Sequence, residues 1–80
     1  MFINKNVDGS NNICGKKIAT LRKDMKISQR ILADRLQLSG LDVDKNAIQR
    51  IEAGKRFVTD IELKIIAQVL NMSCDDLLDA

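Results

Sequence analysis

Lys45-Asn46-Ala47-Ile48-Gln49-Arg50-Ile51-Glu52-Ala53-Gly54-Lys55-Arg56 is the stretch on which the reading of this 80-residue chain turns. Its apolar residues Ala47, Ile48 and Ile51 recur at helical spacing, and Gly54 is the left-handed residue with which helices commonly end. At about 100° of rotation per residue from Lys45, the residues Gln49, Ala53, Asn46 and Arg50 fall within roughly 140° of arc. Ala47, Ile48 and Ile51 occupy the opposite side, with Glu52 at its edge. The outward face of this helix therefore holds Lys45, Asn46, Gln49 and Arg50 and no acid. Those four side chains suit a reader of the major groove: Lys and Arg donate to guanine O6 and N7, and Asn and Gln pair bidentately with adenine. A merely solvated helix face carries the same residue types, so the flanking sequence has to decide between the two.

Working outward, every neighbouring segment is a short capped helix. Asp44 caps the decisive helix, which runs from Lys45 to about Ala53. Ser28 caps the helix before it, with Leu32, Ala33 and Leu36 inward and Gly40 as its stop. Ile18, Leu21 and Met25 make one stripe of a first helix from Ile13 to about Lys26, with Asn11 or Asn12 in position to cap it. Thr59-Asp60-Ile61-Glu62 has the form of a capping box and opens a fourth helix that reaches Leu70. Ser73 caps a short fifth helix with Asp75 and Asp76 in its first turn, where the helix dipole favours acids. No stretch alternates with period two like a strand, and there is no internal repeat. Residues 1–12 lack periodicity and read as a flexible N-terminal arm, and 13–80 as one domain.

Composition narrows the function. The chain has 13 Lys plus Arg against 11 Asp plus Glu, a net charge of +2. Residues 13–56 hold eleven bases against five acids (+6), whereas residues 57–80 hold only Lys64 against five acids (−4). A basic two-thirds and an acidic last third give the domain a side for a polyanion and a side turned away. The absence of His removes the commonest acid–base catalyst and metal ligand. With Cys14 and Cys74 far apart and no CxxC pair, neither a zinc site nor any other metal or cofactor is expected. Both thiols read as small core or helix-start residues of a reducing cytosol. Phe2 and Phe57 are the only aromatics, so serial base stacking is excluded. No run approaches the roughly 20 apolar residues that span a membrane, and no secretory leader is evident, so the expected location is the cytoplasm. A binding module is expected, not an enzyme.

Several blocks together resemble a known family. Gly15-Lys16-Lys17-Ile18 with Leu21-Arg22-Lys23, Ser28-Gln29 with Leu32-Ala33, Ile48 through Arg56, Thr59 through Leu63, and Leu70-Asn71-Met72-Ser73 with Leu77-Leu78 are similar to the XRE family of lambda-repressor-like, Cro-type helix-turn-helix regulators. The resemblance implies an all-α, five-helix domain with the helix-turn-helix at helices 2 and 3. It implies a sequence-specific transcriptional regulator of double-stranded DNA, a repressor, reading the major groove with helix 3. Lys45, Asn46 and Arg50 match base-contacting positions, and Gln49 lies beside them, within reach of a base or a phosphate. Ser28 and Gln29 match the phosphate grip at the start of helix 2. Gly54, Lys55 and Arg56 match the backbone clamp after helix 3. Arg22 and Glu52 match an ion pair that ties helix 1 to helix 3, with Arg22 also near a phosphate. Relatives bind inverted-repeat operators as dimers.

Two features depart from or add to the pattern. The connection from Gln37 to Asp44 is longer than the tight turn usual between the motif helices, and Leu38, Leu41 and Val43 are expected to plug it onto the core. Helix 4 carries a core stripe, Leu63, Ile66 and Leu70, and a second stripe, Ile61, Ile65 and Val69. The second stripe serves either a homodimer or helix 5 of the same chain. The alternative function is a protein-interaction module on the same fold, such as an antitoxin or an anti-regulator partner, which would need no positive face and would expose an apolar patch.

Overall fold

The computed structural model describes residues 9–78, and residues 1–8 of the expected arm lie outside them. The helices are α1 (Gly15–Asp24), α2 (Gln29–Leu38), α3 (Lys45–Glu52), α4 (Asp60–Val69) and α5 (Cys74–Leu78), with no strand among the described residues. The fold is all-α, as the capped-helix reading requires. Helices end one or two residues short of the positions at which the apolar periodicity fades, because the cap residues Met25, Ala53 and Leu70 are already flanking turn.

The starts follow local chemistry. Ser28 Oγ accepts from the Ile31 amide at 3.1 Å, and Asp44 Oδ1 from the Ala47 amide at 2.8 Å. Thr59 and Glu62 close the reciprocal capping box, and Ser73 Oγ accepts from the Asp76 amide. For α1 the N-cap position is Cys14, which makes no side-chain cap; Asn12 Oδ1 accepts from the Gly15 amide at 2.8 Å in its place. The ends are alike. Each of α1 to α4 is followed by a left-handed residue, Lys26, Gly40, Gly54 and Asn71 in turn. The next amide reaches back five residues, from Ile27 to Arg22, Leu41 to Leu36, Lys55 to Arg50 and Met72 to Ala67. This is the Schellman closure, and Ile27, Leu41 and Met72 drop onto the core as its hydrophobic partners.

α3 lies between α1 and α2, α2 also meets α4, and α5 packs on α4. The expected inward residues Leu32, Ala33, Leu36, Ile48, Ile51, Ile66, Leu70 and Leu77 are buried, together with Cys14, Ile18 and Val43. Cys74, the other free thiol, is half-buried at the start of α5. Met25 is exposed because α1 has ended there.

The long connection, Ser39 to Asp44, is pinned rather than loose. Val43 is buried and Leu41 packs against the core, as expected. The Val43 amide donates to the Leu41 carbonyl, and Gln37 Nε2 donates to the Val43 carbonyl at 2.8 Å. Leu38 corrects the expectation. It is 88% exposed, because two residues beyond buried Leu36 on a continuing helix is about 200° of rotation, onto the opposite face. The second stripe of α4 is also divided: Ile65 and Val69 pack against the core, and Ile61 is 70% exposed.

α1 and α3 approach closely at Gly15. A Cβ at Gly15 would overlap the Ile51 carbonyl oxygen and crowd Asn12 Oδ1. Gly15→Ala should therefore lower unfolding stability by about 1–3 kcal/mol, read by thermal or urea unfolding. Lys26→Gly should act the other way. Relieving a non-glycine residue at φ 59° is expected to add about 0.5–1 kcal/mol after the extra chain entropy of Gly.

Candidate nucleic-acid interface

α3 is aimed by its buried face. Ile48 and Ile51 are each 1% exposed and Ala47 is half-buried, so the opposite face must point outward. Lys45, Asn46, Gln49 and Arg50 are all exposed there. Their side chains make no ion pair or hydrogen bond among the described residues.

Behind this face, Glu52 closes α3 onto both preceding helices. Arg22 Nε lies 2.7 Å from Glu52 Oε2 and Arg22 Nη2 3.1 Å from Oε1, a bidentate pair whose side chains are 12% and 8% exposed. Arg22 Nη1 donates to the Ile27 carbonyl, and Gln29 Nε2 donates to Glu52 Oε1 at 3.0 Å. The hydrogen bond from Arg22 to Glu52 holds the guanidinium even more firmly protonated than usual. Arg22 is thus the expected tie between α1 and α3, with three of its donors directed inward. Gln29, read from the sequence as a phosphate ligand, is held on this carboxylate. Ser28 caps α2 with its oxygen lone pair, which leaves the hydroxyl hydrogen available to a phosphate.

The loop after α3 divides the roles of its three residues. Gly54 has φ +75°, and a Cβ there would meet Ser10 Cβ at 2.9 Å. The Gly54 amide donates to the Ile51 carbonyl and that of Lys55 to the Arg50 carbonyl, so both donors are consumed by the helix closure. Gly54 is here a turn residue. The Lys55 side chain is exposed and unengaged among the described residues. Arg56 is not free. Its Nη2 lies 2.7 Å from Glu62 Oε2 and its Nη1 3.1 Å from Oε1, with Nη1 also donating to the Phe57 carbonyl. Glu62 is the capping-box acid of α4, and its bond from Arg56 holds the carboxyl below the ordinary carboxylate range. The sequence reading missed this pair because each partner already had a complete local explanation.

It also missed the long-range partners of the segment that precedes α1, of which it read only the capping role. The Asn11 amide donates to the Gly54 carbonyl at 2.7 Å and Asn11 Nδ2 to the Lys55 carbonyl at 2.9 Å. Asn12 Nδ2 donates to the carbonyls of Ile51 and Arg56. Asn11 and Asn12, assigned to the arm from the sequence, are therefore fastened to the loop of α3, and no local signal in the sequence points to partners about forty residues away.

The chain matches the helix-turn-helix family over residues 18–77 and belongs to it. It is a lambda-repressor-like, XRE-type domain, and its family and fold are those of DNA-binding transcription regulators. The crystal structure of the P22 c2 repressor protein in complex with synthetic operator 9T in the presence of Tl+ is similar to it, with a TM-score of 0.72 at 26% identity, covering 85% of this chain and 96% of that chain. Comparison with curated proteins finds no match. Among the described residues no helix is long and apolar enough to cross a membrane, and no cluster of His, Cys, Asp and Glu could hold a metal ion.

Two outcomes follow from the ion pairs. Glu52→Ala leaves the half-buried Arg22 without its carboxylate partner and should lower stability by about 1–3 kcal/mol, with a coupling to Arg22→Ala in a double-mutant unfolding cycle well above zero. Glu62 has a folded-state pKa below its unfolded value, so its contribution is present above the unfolded carboxylate pKa, about 4.3, and is lost as pH falls below it. Glu62→Gln should therefore narrow the gap to the unsubstituted protein as the pH of thermal unfolding is lowered from 6 toward 3, and a constant gap would contradict the assignment.

Proposed function

We propose that this domain is a sequence-specific transcriptional repressor that lays α3 in the major groove of double-stranded DNA. The observation that carries the reading is the exposed face of Lys45, Asn46, Gln49 and Arg50, which has no acid and no intramolecular partner among the described residues and is held on a buried Ile48–Ile51 side. Lys45, Asn46 and Arg50 read base edges, and Gln49 reaches a base or the adjoining phosphate. Lys55 and the Ser28 hydroxyl, together with the free amides of the first turn of α2, hold phosphates on either side of the groove. Gln29 and Arg56 act through the groups they brace, Glu52 and Glu62. The domain has no catalytic role, needs no cofactor, and works in the cytoplasm.

One reading helix of eight residues makes few base contacts, so two copies on an inverted repeat are needed for useful affinity. The homodimer interface is centred on Ile61, with Ile65 and Val69 beneath it. A large aliphatic side chain 70% exposed on α4 has no packing role in the monomer and supports this reading.

Selection of bound duplexes from a random DNA library, followed by titration at several salt concentrations, tests the reading. Arg50→Ala should relax the selected sequence at one position, a loss of about 1–3 kcal/mol against the preferred base. Lys55→Ala should weaken all duplexes alike and flatten the slope of log K against log salt by about 0.9. An unchanged selected sequence with Arg50→Ala would move the reading surface away from α3. Ile61→Glu should lower the mass seen by analytical ultracentrifugation with operator bound, from two copies per duplex to one.

A further inference from the structure

The loop that carries Lys55 is held from outside its own helix. Its three carbonyls, Gly54, Lys55 and Arg56, each accept a hydrogen bond from Asn11 or Asn12: Asn11 N to Gly54 O at 2.7 Å, Asn11 Nδ2 to Lys55 O at 2.9 Å and Asn12 Nδ2 to Arg56 O at 2.7 Å. Ser10 sits against Gly54 so closely that no Cβ fits between them. With every carbonyl of the loop turned toward this segment, its outer side is left to the Lys55 side chain, free of the carbonyl dipoles that would repel a phosphate.

A second observation separates Asn11 from an ordinary structural asparagine. Asn11 Oδ1 is buried and finds no hydrogen-bond partner among the described residues. Burying an unmatched acceptor works against folding and offsets part of what the bonds of Asn11 contribute to stability, so its placement calls for a role besides stability. Its one side-chain bond goes to the carbonyl of the residue that meets the phosphate.

We propose that Asn11 is a positioning residue for DNA binding: through the Lys55 carbonyl it fixes the loop after α3 so that Lys55 faces a phosphate, and Asn12 anchors the same loop to the start of α1. The proposal rests on the assignment of Lys55 as a phosphate contact. Asn11 does not itself touch DNA. It sets how much of the counterion-releasing contact at Lys55 is realised in every complex, whatever its sequence.

The test is a binding cycle with the full chain, a selected duplex and a scrambled duplex, using Asn11→Ala, Lys55→Ala and the double variant over a range of salt. A lost phosphate contact with slope about 0.9 corresponds to about eightfold weaker binding at 0.1 M salt. Lys55→Ala is expected to show that loss. Asn11→Ala is expected to show a loss of between about twofold and eightfold on both duplexes, with a flatter salt slope and an unchanged ratio between the duplexes. The double variant should bind as Lys55→Ala alone does. The thermal midpoint of Asn11→Ala should move by less than about 3 °C, which separates a positioning effect from unfolding. Asn11→Ala binding as the unsubstituted protein does, while Lys55→Ala loses affinity, overturns the positioning role and leaves the phosphate contact standing. Losses that multiply in the double variant make Asn11 an independent contact and overturn it as well. No loss with Lys55→Ala removes the phosphate contact and the positioning role together.

Discussion

Glu52 is the residue on which the placement of everything else depends. It is the last residue of α3, where a negative charge opposes the helix dipole and has to be compensated from elsewhere. Compensation comes from Arg22 on α1, with two bonds, and from Gln29 on α2, with one. A single carboxylate thus fixes the rotation and depth of three helices relative to one another. Because the Glu52 and Arg22 side chains are largely withdrawn from water, each is a poor guest without the other, and alternative packings that would separate them are disfavoured. Arg22 in turn satisfies the Ile27 carbonyl in the turn between α1 and α2, so the same group also sets where the second helix begins.

The surface that results separates two kinds of basic residue. Arg22 and Arg56 are bidentate partners of carboxylates and serve as braces. Lys45, Arg50 and Lys55 stand exposed without carboxylates among the described residues. The distinction follows from placement rather than residue type: the planar guanidiniums of Arg22 and Arg56 meet a carboxylate fork, whereas Arg50, also an arginine, stands on the outward face of α3 with none beside it among the described residues. Counting bases along the chain therefore overstates the charge offered to DNA. The acids matter as much, since Asp44 is used as the cap of α3 and Glu62 in the capping box of α4, each at a place where its charge also suits the helix dipole.

The outward face of α3 and the loop that follows it rest on different supports. The exposed face of α3 is set by the burial of Ile48 and Ile51, a property of α3 and the core. The loop after α3 is set by its closure through Gly54 and by Asn11 and Asn12, which come from before the first helix. Gly15 allows these supports to meet, because only a residue without Cβ lets the start of α1 lie against the Ile51 carbonyl.

Much of this was legible in the sequence, because helix caps and apolar periodicity are short-range signals. Ser28, Asp44, Thr59 with Glu62, and Ser73 mark helix starts by bonds that span three residues, and the structure places a helix after each. The outward face of α3 and the inward set Leu32, Ala33, Leu36, Ile48 and Ile51 follow from rotation alone. The Arg22–Glu52 tie was readable only through the family resemblance, since nothing local links positions thirty residues apart. What only the tertiary structure decided was how polar groups with several eligible partners chose among them. Arg56 pairs with Glu62, Gln29 with Glu52, and Asn11 and Asn12 with carbonyls beyond α3. Leu38 could be placed outward only once α2 was known to continue past Leu36. Periodicity and caps are properties of one turn of chain, whereas the partner of a long polar side chain depends on which distant backbone the packed core brings within about 3 Å of it.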